Sequence, residues 1–394
     1  MESKKLVLFG AGKIGRSFIG QLFSKAGYEV VFIDINEKVI EALNRLGRYR
    51  VIIKSDDGDE VIWVENVRGV LGTDTDKVIE EVSTAGIMAM SVGQNAIPHI
   101  TPLIAKGLEL RNNNYPGSPL DIILAENLRD AASIVGDELK KHFSSSFDLE
   151  KNVGLIETSI GKMVPIMPES LMKEDPLLVL AEPYNSLILD KNGFKNPIPD
   201  VKGLAPKDNM PAWVDRKSFI HNLGHAAAAY YGYLKYPGMV YLYEIMSKKD
   251  VYETARSAML QAADILMKHY PGEFTKEDLI AHTDDLLHRF SNRALGDTVF
   301  RVGQDLYRKL GPEDRLIGAL KLALKYNMPY DKILQIIAYA VEFKATDEQG
   351  SRSESDKKFS KEAELGISHI LEHVCKLDKN LYPEIYREIQ NMIP

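Results

Sequence analysis

The 394-residue sequence predicts an α/β domain followed by an all-α domain. Up to about residue 200, short apolar runs of strand type alternate with segments of helical periodicity, as in a parallel sheet covered by helices. Beyond a Pro/Gly-rich stretch at 192–208, which we expect to connect the domains, every periodic segment is helical. A chain of this length usually holds more than one hydrophobic core, so we expect domains at 1–200 and 201–394.

The N-terminal domain opens with a strand, a glycine-rich turn, a helix and a second strand. Residues 6–9 and 29–33 are the apolar strands, and residues 16–26 form the helix between them. In this setting G-x-G-x-x-G is the dinucleotide fingerprint of a Rossmann-type fold, because unpaired N–H groups at a helix N-terminus attract a pyrophosphate. The turn that we expect to bind the cofactor consists of Gly10, Ala11, Gly12, Lys13, Ile14 and Gly15.

Asp34 ends the second strand and predicts which cofactor the turn binds. A carboxylate in this place accepts hydrogen bonds from the adenosine ribose hydroxyls and repels a 2′-phosphate. We therefore expect NAD(H) rather than NADP(H). A glycine turn in an ordinary α/β domain is the alternative, but here both strands and the acid accompany the glycines.

The rest of the domain continues the alternation of strands and helices. The buried strand at 86–93 ends in Val92 and Gly93, which we expect to face the cofactor at the carboxyl edge of the sheet. A loop is predicted at 112–117. The other predicted strands span 49–53, 59–64, 121–125, 153–159, 177–180 and 186–190, and the other helices 37–46, 78–82, 98–106 and 128–143.

Asn127 follows the buried strand at 121–125. The carboxyl end of a parallel strand is a common place for a catalytic side chain. An asparagine just before a predicted helix also commonly caps that helix. Position alone leaves both interpretations open.

The C-terminal half is predicted to be all-α, with a polar, exposed loop at 346–361 and one or two closing helices after residue 361. Its helical segments span residues 212–234, 248–269, 276–290, 298–310, 314–325 and 330–343.

The segment that opens this half is the candidate for chemistry. In a helix, Lys217, His221 and His225 lie four residues apart on one face, and Asn222 adjoins that face. Such a set, aimed into an interdomain cleft, suits interconversion of an alcohol and a ketone without a metal. Burial and nearby positive charge would lower the lysine pKa enough for it to act as a base. The asparagine amide would stabilise the developing alkoxide.

Other interpretations of these residues stay open. A lysine on a helix is commonly a solvated charge, and His225, which precedes four alanines, fits a core histidine. The H-x-x-x-H spacing of His221 and His225 also occurs in zinc sites, but no third ligand lies near in the sequence.

At this segment the sequence resembles the polyol-specific long-chain dehydrogenases, also called the mannitol dehydrogenase family, and within it the branch acting on mannitol 1-phosphate. Lys217, Asn222 and His225 match its K-x-x-x-x-N-x-x-H pattern, and Glu126-Asn127 matches its E-N element. The resemblance extends to residues 9–20, 91–93, 289–292, 301–303, 308–310 and 314–316.

The resemblance implies an NAD-dependent secondary-alcohol dehydrogenase that needs no metal and interconverts fructose 6-phosphate and mannitol 1-phosphate. It implies Lys217 as the acid/base, Asn127 and Asn222 as stabilisers of the alkoxide, and His225 as the group that orients the substrate oxygen. The chain departs from the family at residues 161–162, 184–188 and 221, all of which bear on the substrate pocket.

A phosphorylated substrate needs cations, because a dianion in a cleft must be paired. The candidates, each of which also fits surface charge on a helix, are Arg293, Arg301, Arg308 and Lys309. A hexuronate (tagaturonate or fructuronate) reductase of the same family would need such cations for a carboxylate.

Two further classes compete with a polyol dehydrogenase. A 3-hydroxyacid dehydrogenase also combines a Rossmann domain with a catalytic lysine and asparagine, but these are usually four residues apart, whereas Lys217 and Asn222 are five apart. A protein that senses NAD(H) without catalysis would keep the fingerprint and have no need of the lysine.

Composition narrows the partners. A net charge of −7 without a long basic run argues against nucleic acid, and no apolar stretch is long enough for a membrane span or a signal peptide. The single cysteine excludes an internal disulfide and a cysteine-rich zinc site. We expect a cytoplasmic monomer or homodimer whose partners are small molecules.

Overall fold

The computed structural model describes residues 4–392, and its contacts divide the chain into two compact units between Trp213 and Val214. The first unit contains a largely parallel sheet with helices, and the second is helical, so the predicted fold class is confirmed. The domain boundary expected at residue 200 stays a prediction. The stretch at 192–208, which we expected to connect the domains, carries the strand Leu204–Lys207 of the first unit.

The strands of the first unit alternate with helices along much of the chain, as the sequence predicts. They are β1 Lys5–Phe9, β2 Glu29–Asp34, β3 Arg48–Ser55, β4 Gly58–Glu65, β5 Val67–Leu71, β6 Ile87–Met90, β7 Leu120–Leu124, β8 Val153–Ser159, β9 Val179–Ala181, β10 Leu187–Asp190 and β11 Leu204–Lys207.

Eight of these strands form the main sheet, in the order β11-β10-β8-β7-β6-β1-β2-β5. Neighbouring strands run parallel except β10, which is antiparallel to β8. Both faces of the sheet are buried: Leu8 packs with Phe18 on one face, and Phe9 packs with Ile104 on the other. The carboxyl ends of β1, β2, β6 and β7 therefore share one edge, which is where α/β folds bind ligands.

A smaller sheet has the order β4-β3-β9. β3 and β4 form an antiparallel hairpin, and β9 pairs parallel with β3. The apolar run at 177–180 thus contributes to this second sheet rather than to the main one. Tyr49 of β3 donates its hydroxyl to the Arg16 carbonyl oxygen at 2.7 Å, which ties the small sheet to the helix after β1.

The first helix begins with a π-helical turn, Gly15–Gly20, and continues as α1. The helix at 97 runs on to Asn114, so the loop predicted at 112–117 is wrong for its first three residues. Its apolar position Leu108 is buried beyond the predicted end of the helix at residue 106. The helices of this unit are α1 Gln21–Lys25, α2 Glu37–Leu46, α3 Thr75–Thr84, α4 Ile97–Asn114, α5 Ala131–Lys140, α6 Leu149–Asn152 and α7 Glu169–Glu174, with a 3₁₀ turn at Gln94–Ala96.

From residue 210 onward the chain is helical, as predicted. A π-helical turn, Lys217–Asn222, lies between the first two of these helices, and a 3₁₀ turn lies at Arg293–Leu295. The helices are α8 Met210–Arg216, α9 Leu223–Lys235, α10 Leu242–Met246, α11 Lys249–His269, α12 Lys276–Phe290, α13 Val299–Gly303, α14 Leu306–Lys309, α15 Ile317–Tyr326, α16 Asp331–Val341, α17 Glu354–Ala363, α18 Ile367–His373 and α19 Pro383–Gln390.

Two predictions for this half are wrong. The segment at 298–310 forms two short helices, α13 and α14, because Asp305 between them has a φ of +72°. The predicted loop at 346–361 ends in α17, whose Phe359 is fully buried and whose Asp356 is 2% exposed. Asp356 accepts hydrogen bonds from the backbone N–H groups of Asp305 and Leu306, so a carboxylate that looks solvated in the sequence holds the turn into α14.

No helix within residues 4–392 is long and apolar enough to cross a membrane. The single cysteine, Cys375, is fully buried in the second unit, and burial raises the pKa of its thiol.

Candidate active site and cofactor site

Glycines shape the turn between β1 and the helix that follows. Gly10 has a φ of +97°, which favours glycine, and a Cβ there would lie 2.2 Å from the Ser91 carbonyl oxygen. A Cβ on Gly15 would lie 2.1 Å from the Gly10 carbonyl oxygen. The helix can therefore approach the turn this closely only because both positions lack a side chain.

Gly12 leaves the approach to the turn open. Among the described residues, no atom lies within 4 Å of the place that a Cβ on Gly12 would occupy. The backbone bonds of the helix begin with the Arg16 N–H, which donates to the Gly12 carbonyl oxygen at 3.0 Å. The N–H groups just before Arg16 thus have no helical acceptor, and they suit the phosphate oxygens of a dinucleotide.

Asp34, at the end of β2, is held beside the turn by its two carboxylate oxygens. Oδ2 accepts from the Ala11 N–H at 2.7 Å, and Oδ1 accepts from the Asn36 N–H at 2.9 Å. A carboxylate oxygen has more than one lone pair, so both can still accept from ribose hydroxyls. Ala11 belongs to the turn that we predicted to bind the cofactor. Its backbone N–H donates to Asp34.

A cavity of about 310 Å³ opens in the first unit where β1, β6 and β7 end. It brings together the fingerprint residues Lys13 and Ile14, the strand-end residue Gly93 and the candidate catalytic residue Asn127. Its lining consists of Lys13, Ile14, Ser91, Gly93, Ala125, Glu126, Asn127 and Ile160. Predicted cofactor residues and one predicted catalytic residue thus share a single cavity.

Asn127 does not cap a helix. α5 begins at Ala131 rather than at residue 128, and Asp130, with a φ of +56°, occupies the N-cap position. The capping interpretation is therefore wrong, because three residues separate Asn127 from the helix. Asn127 is exposed and lines the cavity.

In the second unit, the segment Lys217–Asn222 is π-helical rather than α-helical, and we call it the π-turn. The Leu223 N–H donates to the Ser218 carbonyl oxygen, five residues earlier, which is the hydrogen bond that defines such a turn. Lys217 and Asn222, which are also five residues apart, are therefore separated by about one π-helical turn. Their spacing in the sequence becomes proximity in space, at a kind of turn that is frequent at functional sites.

The Lys217 amine is partly buried, and its pKa is lowered to about 8. Burial is the largest cause, and the Arg315 guanidinium adds to it. Asp314 opposes the shift, and Arg308 contributes in the same direction as Arg315. Removal from water and positive neighbours both disfavour a protonated amine, so an appreciable fraction of Lys217 is neutral near pH 8.

The two histidines after Lys217 are held neutral. The His225 ring stacks on Phe290 with ring centroids 4.3 Å apart, and its buried Nε2 has no hydrogen-bond partner among the residues that the structure describes. Burial lowers the pKa of His225, and Lys309 and Arg301 lower it further. Burial also lowers the pKa of His221, followed by Arg289. A neutral His225 with an unpartnered nitrogen has capacity left for one hydrogen bond.

A zinc site at His221 and His225 would need further ligands close to the two rings. The rings of His221 and His225 have centroids 5.9 Å apart. In the part of the chain that the structure describes, no group of three or more His, Cys, Asp or Glu side chains is arranged to hold a metal ion.

Two of the four candidate substrate cations, Arg301 and Arg293, already interact with other side chains of the protein. Arg301 forms an ion pair with the buried carboxylate of Asp297, one helical turn earlier. The guanidinium of Arg293 lies over the Tyr243 ring, 5.5 Å from its centroid.

The other two candidates, Arg308 and Lys309, belong to α14. Arg308 pairs with Asp305 at 2.5 Å and with Asp314 at 3.3 Å. Lys309 is 5% exposed and donates to the Val302 carbonyl oxygen. Burial lowers the pKa of Lys309 to about 7, and the cations Arg315 and Arg308 lower it further. Lys309 is thus a buried amine rather than a surface charge.

Arg315 belongs to this cluster, although we did not select it from the sequence. It is 7% exposed, pairs with Asp314 at 2.7 Å and donates to the Asn222 carbonyl oxygen at 3.3 Å. It therefore contacts the π-turn directly. Arg289 and Glu126 are buried charges that we also missed. In the sequence, only their positions in motifs of the resembled family point to Arg315, Arg289 and Glu126. A local sequence pattern does not show whether a charged side chain is buried.

Two departures from the resembled family lie against each other. The Lys162 amine is buried and donates to the Tyr184 carbonyl oxygen at 2.7 Å and to Asn185 Oδ1 at 3.0 Å. The residues at 161–162 and 184–188 thus form one contact within the first unit.

Comparison with known proteins identifies the family. Residues 4–203 match the Mannitol dehydrogenase Rossmann domain, and residues 209–378 match the Mannitol dehydrogenase C-terminal domain. The chain belongs to the mannitol dehydrogenase family. As a member, it is an NAD-dependent oxidoreductase that acts on CH–OH groups.

Known proteins that are similar to the chain include one sequence relative and two solved structures. A mannitol-1-phosphate 5-dehydrogenase of Streptococcus mutans serotype c is 32% identical over 351 residues, which cover 88% of this chain and 90% of the relative. A D-sorbitol dehydrogenase in substrate-free form superposes with a TM-score of 0.75 at 15% identity, covering 99% of this chain and 94% of the other. The Pseudomonas fluorescens mannitol 2-dehydrogenase complex with NAD and D-mannitol gives 0.74 at 16% identity, with coverage of 99% and 91%. These two superpositions show a shared fold.

Proposed function

We propose that the protein is a metal-independent dehydrogenase that interconverts fructose 6-phosphate and mannitol 1-phosphate with NAD(H). The observation that carries this proposal is the partly buried Lys217 amine, with a pKa lowered to about 8 by burial and neighbouring cations. The name of the Streptococcus mutans relative supports a phosphorylated polyol. We further expect a cytoplasmic monomer or homodimer without nucleic-acid or membrane partners.

Lys217 is the proposed acid/base. During polyol oxidation its neutral amine accepts the proton of the hydroxyl group, and during ketose reduction its ammonium returns that proton to the carbonyl oxygen. The glycine-rich turn and Asp34 would hold NAD⁺, which would supply the acceptor for the hydride of the carbon that carries this hydroxyl group. A lysine with an ordinary pKa near 10.4 would be almost fully protonated at neutral pH, so the lowered pKa makes the base available.

Three further polar side chains have proposed roles. Asn222, at the other end of the π-turn, donates its amide to the developing alkoxide, and Asn127 does the same from the cavity of the first unit. His225 orients the substrate oxygen by donating or accepting one hydrogen bond through Nε2, which has no partner within residues 4–392. The family pattern K-x-x-x-x-N-x-x-H supports these assignments.

The cations around Lys217 and His225 support an anionic substrate. Lys309, Arg301 and Arg315 all act on the pKa of His225, so these positive charges converge on one region of the second unit. A phosphate dianion beside them would relieve their mutual repulsion. Lys309 is the candidate that stands out, because its buried amine has no carboxylate within ion-pair distance among the described residues.

Purified protein tests the proposal through oxidation of NADH with a panel of ketoses. Fructose 6-phosphate should be reduced with a far higher kcat/KM than fructose, tagaturonate or fructuronate. Preference for a hexuronate would move the assignment to the reductase branch of the family. Absence of turnover with every ketose, while NADH still binds, would instead support a non-catalytic NAD(H)-sensing protein.

Lys217→Ala distinguishes catalysis from binding. Removal of a positioned acid/base should lower kcat by about 10²- to 10⁴-fold, while the NADH dissociation constant stays unchanged. Lys321→Ala is the control, since that lysine pairs with the exposed Glu313. Wild-type turnover by Lys217→Ala would rule out the lysine mechanism.

A further inference from the structure

Glu126 is a buried carboxylate at the ligand-binding edge of the first unit, directly after β7. The residue is 5% exposed and lines the same cavity as Lys13, Gly93 and Asn127. A carboxylate at this depth needs hydrogen-bond donors, because removal from water disfavours its charged form.

Two consecutive backbone N–H groups after β6 are the donors. The Val92 N–H donates to Oε1 at 2.7 Å, and the Gly93 N–H donates to Oε2 at 3.0 Å and to Oε1 at 3.2 Å. β6 and β7 are parallel neighbours in the main sheet. Glu126 therefore ties the ends of two adjacent strands together, at the edge where the cofactor residues lie.

In the segment that Glu126 holds, Val92 packs against the buried cluster that contains Phe9, whereas Gly93 has no such packing among the described residues. Gly93 has a φ of +81° and leads into the 3₁₀ turn before α4. Within residues 4–392, no atom lies within 4 Å of the place that a Cβ on Gly93 would occupy, so close packing does not fix this glycine. The Glu126 carboxylate also sits just before the N-terminal end of α4, where a negative charge is favourable.

We propose that Glu126 is a positioning residue that fixes Val92 and Gly93 for cofactor binding and holds its chain neighbour Asn127 at the same cavity. Glu126 acts through these residues, and its two N–H partners are thereby unavailable to the cofactor. The part that concerns Asn127 rests on the proposed function. The part that concerns Val92 and Gly93 requires only that the protein binds NAD(H).

Glu126→Gln tests this role with little change in shape. The amide oxygen can accept from one N–H group, but the amide NH₂ opposes the other. We expect the NADH dissociation constant, measured by fluorescence titration without sugar, to rise about 10- to 100-fold, as for loss of hydrogen bonds to a charged group. The kcat should also fall, because Asn127 loses its fixed position, whereas Asn127→Ala should lower kcat and leave NADH affinity intact.

Glu157→Gln is the matched control. Glu157 lies on β8, next to β7, and its partly buried carboxylate accepts from the Ala132 N–H at 2.9 Å, away from Val92 and Gly93. Its substitution should lower the thermal midpoint without changing NADH affinity. Wild-type NADH affinity in Glu126→Gln, or an equal loss of affinity in Glu157→Gln, would overturn the proposal.

Glu126→Asp gives a second measurement should Glu126→Gln fail to fold. It keeps the charge, but its carboxylate is one methylene too short to reach both N–H groups, so NADH affinity should again fall. An unchanged NADH dissociation constant in this variant would also refute the role. Because the titration contains no ketose, its result is independent of whether the proposed substrate is correct.

Discussion

At the scale of single residues, the proposed function depends on charged groups that the fold removes from water. Lys217 and Lys309 both have a lowered pKa, and burial is the largest cause for each. Burial alone favours the neutral form of such amines, which binds an anion poorly. Together with Arg315, they form the base and the anion site that we propose, and both should respond to pH near neutrality.

The pH dependence of turnover reports the Lys217 amine. Polyol oxidation needs the neutral amine, so its kcat/KM should rise with pH and level off above about 8, whereas ketose reduction should decline over the same range. Arg315→Met removes a positive neighbour, raises the Lys217 pKa and should move both limbs to higher pH. Arg256→Met, which breaks an ion pair with Asp284 elsewhere in the second unit, is the control and should leave them in place.

The groups that face Lys217 come from several elements. Arg315, Asp314 and Arg308 act on it directly, and His221 lies on the same π-turn. From α12, His282 and Arg289 act on His221, whereas α11 presents the apolar side chain of Met259 to Gly224, just after the π-turn. A pH profile that is identical in wild type and Arg315→Met would contradict this account.

Lys309 should make anion binding pH-dependent. Its pKa is about 7 without a ligand, and a bound dianion favours the protonated amine, so binding takes up a proton above that pH. Competitive inhibition by sulfate, whose own charge is constant in this range, should weaken by up to about tenfold per pH unit above 7. Lys309→Met should bind sulfate weakly and without this slope, and a flat profile in wild type would exclude Lys309 from the anion site.

The sequence identified some of these residues and not others, for a physical reason. Lys217, Asn222 and His225 sit in one short pattern and could be selected together. Arg315 lies 93 positions from Asn222, and their contact exists only after the helices pack. Whether a charge is buried depends on such packing, so long-range partners escaped prediction.

At the scale of elements, two irregular helical turns carry the candidate sites. Both Gly15–Gly20 and Lys217–Asn222 are π-helical, although their apolar spacing predicts ordinary α-helix. Each π-helical segment spans only six residues, which is too short for hydrophobic spacing to distinguish it from an α-helical turn. By contrast, α2 spans residues 37–46 as predicted, with Asn36 as its N-cap and Gly47 in the left-handed region at its end.

Gly12 and Gly15 should separate stability from cofactor binding. Gly15→Ala places a Cβ 2.1 Å from a backbone oxygen and should lower the free energy of unfolding by about 1–3 kcal/mol. Gly12→Ala places its Cβ in open space, so stability should change by less than about 0.5 kcal/mol while NADH affinity falls, because the methyl group blocks the pyrophosphate. Thermal unfolding and NADH titration measure the two effects. If Gly12→Ala lowered the free energy of unfolding but bound NADH with wild-type affinity, the role of Gly12 in cofactor binding would be contradicted.

At the scale of the whole molecule, the chain combines a doubly covered sheet unit with a helical unit. The fold class was predictable because strand-type runs alternate with helical segments in the first half of the chain, whereas the second half has helical patterns throughout. The helix α17 was not, because its apolar content is low and its buried members, Asp356 and Phe359, are few. The architecture of the whole chain can be predicted from many weak local sequence patterns. The helix α17 buries only one carboxylate and one aromatic ring, so almost no local pattern predicts it.

Cofactor preference should appear as a change in the stability of the whole protein. NADH at about 100 times its dissociation constant should add about 2.7 kcal/mol to the free energy of unfolding, whereas NADPH at the same concentration should add little, because Asp34 repels its 2′-phosphate. Asp34→Asn keeps the shape of the side chain and removes its negative charge. The difference between the stabilisation by NADH and by NADPH should therefore become smaller. Thermal midpoints with each cofactor provide the measurement, and equal shifts by NADH and NADPH in wild type would contradict the role of Asp34.

Cys375 has a practical consequence. Because the sole thiol is enclosed by the protein and holds its proton tightly, maleimides and other alkylating reagents should leave the native enzyme unmodified and active. A cysteine introduced at an exposed site such as Leu365 would then be the one group to react, so fluorophores or spin labels can be attached there without first removing the native sulfur.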